Sequence, residues 1–555
     1  MSSTSPAEER CAPQTFSYDA VIVGAGFAGL YMLHRLRALG LSARIFERGS
    51  GVGGTWYWNR YPGARCDVVS MEYSYQFSAE LQQDWEWSER YATQPEILRY
   101  INHVADRYEL RGDIQFNTKV IIANFDESLA RWQIETDHGD HVSARFYVLA
   151  TGCLSSANRP DFKGVERFTG ATYHTGDWPH EGVNFTGKRV GIIGTGSSAI
   201  QAIPLIAQQA AELTVFQRTA SYSIPAQNAP LDPGEVKRIK ANYKAIREHN
   251  WRMPFGVDFQ QVETPAQSVS AAQREQDFEA RWQRGTLGFL ATYGDLLTDH
   301  AANELAAEFI RDKIRAIVKD PATAARLSPR QVVGCKRLCL DTGYYETFNR
   351  PHVRLVDVSA SPIEEITTHG IKVDDTDYTF DCLIFATGFD AMTGALDKIA
   401  IRGRDGRKLK EKWAAGPRTY LGLASAGFPN LFMITGPGSP SVLSNMLPSI
   451  EQHVNWIADC IGYLQSRGIR AIEATPEAED AWVEHVNEVA YTTLYPHCNS
   501  WYLGANIPGK PRIFMPYIGV PPYVAKCNEV ATSGYSGFAL TAERPSDVGA
   551  EETIA

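Results

Sequence analysis

Along the chain, short apolar runs alternate with stretches whose apolar positions recur every three or four residues, and this succession occurs twice. Tyr18-Asp19-Ala20-Val21-Ile22-Val23 has strand length, and Leu30, Leu33, Leu36 and Leu39 follow at helical spacing. A second short run, Ala43-Arg44-Ile45-Phe46, comes next. The same order returns in Arg189-Val190-Gly191-Ile192-Ile193, a helix from Ile200, and Leu213-Thr214-Val215-Phe216. Residues 95–148 read as a helix and several strands, and a late helix is predicted over 450–464. Two further apolar runs, at 148–152 and 383–388, both end in Ala-Thr-Gly. Between 225 and about 330 the period is helical, as in Ala306, Ile310, Ile314 and Ile317 before Pro321. Strand and helix in this order predict an α/β protein with two doubly wound units and a helical insertion in the second.

The joints between run and helix carry the first chemistry. Gly24-Ala25-Gly26-Phe27-Ala28-Gly29 links the first strand to its helix, and Gly194-Thr195-Gly196-Ser197-Ser198-Ala199 links the second pair. Small residues there permit a tight turn and bring a pyrophosphate against the helix N-terminus. This strand–loop–helix setting makes both loops dinucleotide-binding (Rossmann-like) candidates. Glu47 ends the first unit's second strand, 23 residues past Gly24, where a carboxylate bonds the ribose hydroxyls of an adenosine half. The second unit has Arg218 and Thr219 at the corresponding place. A guanidinium grips a 2′-phosphate that a carboxylate would repel. FAD is therefore expected in the first unit and NADPH in the second.

Two apolar runs ending in Ala-Thr-Gly suit places where the chain leaves one nucleotide unit for the other. The division read from the chain is a disordered lead (1–17), an FAD domain in two parts (18–151 and 386–541), an NADP domain in two parts (152–224 and 334–385), an insertion (225–333) and a disordered tail (542–555). With 555 residues more than one core is expected. A net charge of -10 argues against nucleic acid as the main partner. No apolar run has the length of a membrane span, and residues 1–14 lack the pattern of a secretory signal, so a cytoplasmic enzyme is expected. Nine cysteines, scattered and without a CxxC, argue against a disulfide framework. Cys335 and Cys339 lack companions at ligand spacing and read as buried thiols, and no metal site is expected.

Two segments outside the nucleotide loops are unusually rich. Residues 53–67 pack aromatics, glycines and charges without periodicity, as a loop laid against a flat ligand would. They hold Cys66 alone, where a disulfide reductase would need two cysteines. Residues 168–179 lie between the two glycine loops and belong to neither loop; where a linker would be polar and featureless, they carry Phe168, Gly170, His174 and Trp178. Phe-x-Gly-x-x-x-His-x-x-x-Trp resembles the fingerprint of type I Baeyer–Villiger monooxygenases. Gly54, Trp56, Tyr61, Pro62, Gly63 and Asp67 match a second motif of that family. Residues 56–67, 410–420 and 436–441 look like its phenylacetone and steroid monooxygenase branch.

That resemblance implies oxidation of a ketone to an ester or lactone by FAD, NADPH and oxygen, through a flavin C4a-peroxide. It implies that Arg337 stabilises peroxide and tetrahedral intermediate, held by Asp67, and that Lys336 joins Arg218 and Thr219 on the 2′-phosphate. The cofactor contacts it implies are Gly24, Gly26, Ala28, Gly29, Glu47, Gly54, Thr55, Trp56, Asp67, Tyr73 and Val120 for one unit. For the other they are Gly194, Thr195, Gly196, Ser197, Ser198, Gln201, Arg218, Thr219, Lys336, Arg337 and Trp501. His174 and Trp178 are expected to bond and pack rather than to catalyse. Residues 435–443 suit a loop against the flavin, and 500–511 a mobile lid. Departures from the family are Ala199 in the second loop and Val520-Pro521-Pro522-Tyr523. The other readings are a related flavoprotein that oxidises nitrogen or sulfur and a non-catalytic NADPH-binding flavoprotein.

Overall fold

Two sheets, each built around a strand that runs into a glycine loop, organise the computed structural model, which describes residues 15–542. In the first, Thr15–Val23 lies between Ala43–Phe46 and His141–Leu149, parallel to both. Ile114–Gln115 extends one edge. Arg131–Thr136, Val120–Asp126 and Ala400–Arg402 continue the other, and Leu431–Met433 also pairs with His141–Leu149. The second sheet is wholly parallel, in the order Val353–Asp357, Glu212–Gln217, Arg189–Ile193, Cys382–Phe385, Ala171–His174. Its central strands are near-continuous apolar runs because both faces are covered.

Seven helices matter here: α1 (Phe27–Ala38), α2 (Ser197–Ile206), α3 (Pro233–Asn250), α4 (Ala271–Arg284), α5 (His300–Ile317), α6 (Met446–Ser466) and α7 (Val520–Thr532). Leu30, Leu33 and Leu36 of α1 are wholly buried against the first sheet and α6, each contributing about 2 kcal/mol by removal from water. Leu39, fourth in that series, is exposed at the helix end, where Gly40 turns the chain with φ +73°.

The structure departs from several expectations. Residues 15–17, assigned to the lead, already pair with 141–143, and Ala542, assigned to the tail, closes the strand Phe538–Ala542. A ladder needs only backbone groups, so polar side chains at its ends leave no apolar signal. The remaining lead and tail residues lie outside the described residues. Residues 168–179, read as a linker between the two loops, contain a strand: Ala171–His174 is the edge strand of the second sheet. Ala171 and Thr172 are exposed there, which hides the strand from any apolar pattern. Two helices also begin earlier than expected, α2 at Ser197 and α6 at Met446.

The insertion bridges both units. Phe278 and Trp282 of α4 and Ile310 of α5 share a core with Val190 and Ile203 of the second unit. Helix α3 instead docks on the first, where Arg247 donates to the carbonyls of Glu72 (2.7 Å) and Met71 (3.0 Å) and to Ser74 Oγ (2.7 Å). Cys335 is not a free thiol: it is disulfide-bonded to Cys498, 163 residues away, a separation that leaves no spacing motif to read. Cys339 is free and buried. Among the described residues no helix is long and apolar enough to cross a membrane.

Glu451 of α6 is a buried carboxyl accepting the N–H groups of Gln76 (2.8 Å) and Phe77 (2.9 Å). Burial raises its pKa to about 7 from 4.5, against those hydrogen bonds and Arg247, which lower it. The folded protein thus binds this proton more tightly than the unfolded chain. The resulting stability is full below pH 4.5 and is lost as pH rises through about 7. Glu451→Gln keeps an acceptor without the proton. It is expected to remove on the order of 3 kcal/mol of pH dependence across that window in denaturant unfolding, and an unchanged slope would refute the assignment.

Candidate functional site

The first glycine loop is shaped by contacts that exclude side chains. A Cβ on Gly29 would lie 1.9 Å from the Gly24 carbonyl oxygen, so helix and strand approach only because none is there. Gly24 has φ +105°, and Gly54, with φ +54°, packs its backbone on Gly26. Helix α1 starts with no acidic residue in its first turn and no side-chain cap, so its N–H groups are available to a pyrophosphate beside Ala28. Glu47, 5% exposed, accepts the N–H of Ala25 and of Gly49, both at 2.7 Å. Those bonds fix the carboxylate while each oxygen keeps a lone pair for a ribose hydroxyl.

Thr55 is exposed beside Gly54, and Trp56 donates its indole N–H to Tyr73 Oη at 3.0 Å. The side chain of Val120 packs in the core with Val21 and Phe46, which leaves its backbone groups as what it could offer a cofactor.

The second loop has the same build with more room. Gly194 has φ +113° and lies against the Ala386 carbonyl, whereas a Cβ on Gly196 would meet nothing within 4 Å. That open space faces the uncapped, acid-free start of α2, at Ser197 and Ser198. Thr195 Oγ1 donates to the Thr219 carbonyl (2.9 Å), joining the loop to the strand end that carries Arg218. Lys336 is pushed below its ordinary pKa by burial and then by the charge of Arg218. Among the described residues neither cation pairs with a carboxylate, an arrangement that suits a dianionic phosphate. Gln201 accepts from Tyr61 Oη (2.8 Å) and donates to the Arg65 carbonyl (3.1 Å), tying α2 to the loop 53–67.

Arg337 stands where these parts meet. Its Nε and Nη2 donate to Asp67 Oδ2 (2.5 Å) and Oδ1 (2.9 Å), and its Nη1 donates to the Val442 carbonyl (2.8 Å). Second unit, first-unit loop and returning segment are thereby held by one guanidinium. Burial alone would lower its pKa, but the charge and hydrogen bonds of Asp67 outweigh that and raise it. Both side chains stay about a quarter exposed, 27% and 24%, so the pair is fixed yet reachable.

Trp501, half-buried, lies against Tyr502 with ring centres 4.2 Å apart. Its segment is tethered at both ends, by the Cys335–Cys498 disulfide and by Lys510, which donates to Asp390 Oδ1 (2.5 Å) and the Ala391 carbonyl (2.9 Å). His174 is elsewhere. Its Nδ1 accepts from Gly176 N–H (2.9 Å), and its Nε2 lies 3.1 Å from the Asn158 carbonyl and 3.2 Å from Thr387 Oγ1. Burial lowers its pKa, so it is a neutral ring whose proton sits on Nε2. Trp178 is buried against Tyr173 and Phe185, and its backbone N–H donates to the Trp58 carbonyl of the first unit (3.3 Å).

Sequence reasoning missed the Val442 carbonyl, since backbone acceptors carry no residue signal. It also missed Cys153, whose Sγ lies 2.9 Å from Ser441 Oγ and helps seat the loop 435–443. The open first turns, the fixed Glu47 carboxylate and the paired cations fit FAD and NADP(H).

Comparison with known proteins agrees with this geometry. The family model for pyridine nucleotide-disulphide oxidoreductase matches residues 21–293. Within them the cysteines are Cys66 and Cys153, both free and buried, so the likeness lies in the nucleotide fold and not in a redox cysteine pair. A Baeyer–Villiger monooxygenase of Pseudooceanicola batsensis is 45% identical over 94% of this chain and 96% of its own. A phenazine N-monooxygenase of Lysobacter antibioticus is 43% identical over 96% and 98%. A solved structure of oxidized steroid monooxygenase bound to NADP is 55% identical, with a TM-score of 0.90 over 95% of this chain and 99% of that one.

A pair that joins separate segments should show energetic coupling. Asp67→Ala, Arg337→Met and the double variant are expected to be non-additive by about 1–3 kcal/mol in denaturant unfolding. Additivity to within roughly 0.5 kcal/mol would mean that the contact holds nothing together.

Proposed function

The chain belongs to the Baeyer–Villiger monooxygenases, and we propose that it uses FAD, NADPH and oxygen to convert a bulky or cyclic ketone into an ester or lactone. The observation that carries this reading is the Arg337 guanidinium fixed by three hydrogen bonds at the junction of both nucleotide units. Bound FAD, reduced by NADPH, supplies the activation of oxygen.

The residues supply position and charge. Glu47 and the start of α1 orient one dinucleotide, and Arg218, Thr219 and Lys336 select the phosphorylated form of the other. Of the five N–H donors of Arg337, two are left by Asp67 and Val442 for a ligand. They can meet the oxyanion that develops when an oxygen nucleophile adds to a ketone carbonyl, without any proton leaving the arginine. A preorganised donor of this kind is worth about 3–4 kcal/mol in the transition state. His174 has no proton-transfer task, being neutral and bonded on both ring nitrogens. A reaction that consumes NADPH suits the cytoplasm, where that cofactor is regenerated.

A second reading is nitrogen oxidation, favoured by the phenazine N-monooxygenase that matches nearly the whole chain. An N–H-donating arginine next to an oxygen-activating group does not by itself choose between carbonyl and amine. Product analysis on a ketone, a sulfide and an aromatic amine separates the two: an N-oxide with no ester would sink the ketone reading. Arg337→Ala is expected to retain FAD and consume NADPH while its ester yield falls at least about a hundredfold. Ester formed at the wild-type rate would remove Arg337 from the chemistry.

A further inference from the structure

We propose that a cavity of about 600 Å³ between helix α3 and the first unit is the passage by which the ketone reaches Arg337 and the ester leaves. The proposal rests on the ketone reading above and assigns a purpose to the insertion. The cavity is within the usual range for small-molecule sites, roughly 300–1,000 Å³. Asp67, the residue that grips Arg337, is among its lining residues. Two other grooves run along 83–87 with 231–241, and along 60, 94–106 and 179–182. Neither is lined by Asp67.

The wall has a sidedness that fits a neutral ligand with an apolar body. Inside are Val68, Met71, Tyr243, Val257 and Leu287, all buried residues. Outside, at the rim, stand Asp232, Glu235, Arg238 and Arg284, all exposed and of both signs. A mixed rim attracts neither anions nor cations strongly, and the apolar residues inside it favour a ligand with an apolar body. Glu72, also on the wall, is raised above the ordinary carboxyl pKa by burial and accepts from Asn250 Nδ2 at 2.7 Å. Its backbone carbonyl accepts from Asn445 Nδ2 (3.0 Å), the cap of α6, which directly follows the loop 435–443. One side of the cavity is thus built from the insertion and the other from the segment leading to Asp67.

Ile239 and Ile246 of α3 line the cavity and are only partly buried, so they can be enlarged without rebuilding a core. In the FAD-loaded full chain, Ile239→Trp and Ile246→Trp are expected to lower kcat/KM at least about tenfold for a steroid-sized ketone. For acetone the change is expected to stay within about twofold, and NADPH-driven bleaching of the flavin, which needs no ketone, is expected to keep its rate. Leu287→Ala widens the insertion's side of the cavity outside α3 and is expected to raise kcat/KM for the large ketone alone, which tests the passage even if a tryptophan variant fails to fold. Equal losses for both ketones, or no effect of any of the three variants, would overturn the passage. A wild-type enzyme that makes no ester from either ketone would instead overturn the reaction on which it rests.

Discussion

A single ion pair, Arg337 with Asp67, ties the molecule's architecture to its chemistry. Arg337 comes from the segment that re-enters the second unit after the insertion, and Asp67 from a loop of the first. An arginine so placed has given up part of its hydration, and only a carboxylate with matching geometry makes that tolerable. The bidentate contact supplies the match, and the Val442 carbonyl takes up a third donor. The same three bonds fix the relative position of three chain segments and leave a permanent positive charge at their junction. Domain packing and electrostatic preorganisation are here one constraint, because moving either unit would unpair a charge that cannot neutralise itself.

The surroundings are arranged to keep that junction in place. Helix α2 reaches the loop 53–67 through Gln201, with Tyr61 and the Arg65 carbonyl as its partners. Helix α3 reaches the first unit through Arg247, whose acceptors are largely backbone carbonyls. The disulfide at Cys335 lies two residues before Arg337 and anchors the segment that carries Trp501. None of these contacts belongs to either glycine loop. They form a frame between the two nucleotide units.

What could be read from the sequence divides along physical lines. The glycine loops were legible because their constraint is local: a Cβ 1.9 Å from a carbonyl forbids any other residue at position 29. The strands Ala43–Phe46 and Arg189–Ile193 were legible to the residue because both are buried on two faces. Ala171–His174 was not, since an edge strand with exposed side chains is held by backbone bonds that any residue can make. Neither the Cys335–Cys498 link nor the docking of α3 is written in a spacing, because each depends on where distant segments come to rest. At the site, Arg337 and Asp67 were legible through family motifs, while the Val442 carbonyl was invisible as a backbone group. Val120, named by resemblance, turns its side chain to the core, so any part it has in holding a cofactor falls to its backbone, which no pattern reveals.

The residues most diagnostic of the family are, on this geometry, not those that face the reaction. His174 links Asn158, which follows the first Ala-Thr-Gly run, to Thr387, which lies within the second, at the places where the chain crosses between units. Asn158 N–H also donates to the Gly388 carbonyl (2.9 Å), so the two crossings are bonded to each other directly as well as through the imidazole. Trp178 fills the space between Tyr173 and Phe185 and meets the backbone of Trp58, a neighbour of the loop that ends in Asp67. A neutral histidine bonded on both nitrogens and a buried indole are poor reagents and good fasteners. They bond the crossings to each other and the second unit to the backbone of the first. A fingerprint can therefore mark a reaction class without touching substrate, because this chemistry needs two separately folded nucleotide sites in one register.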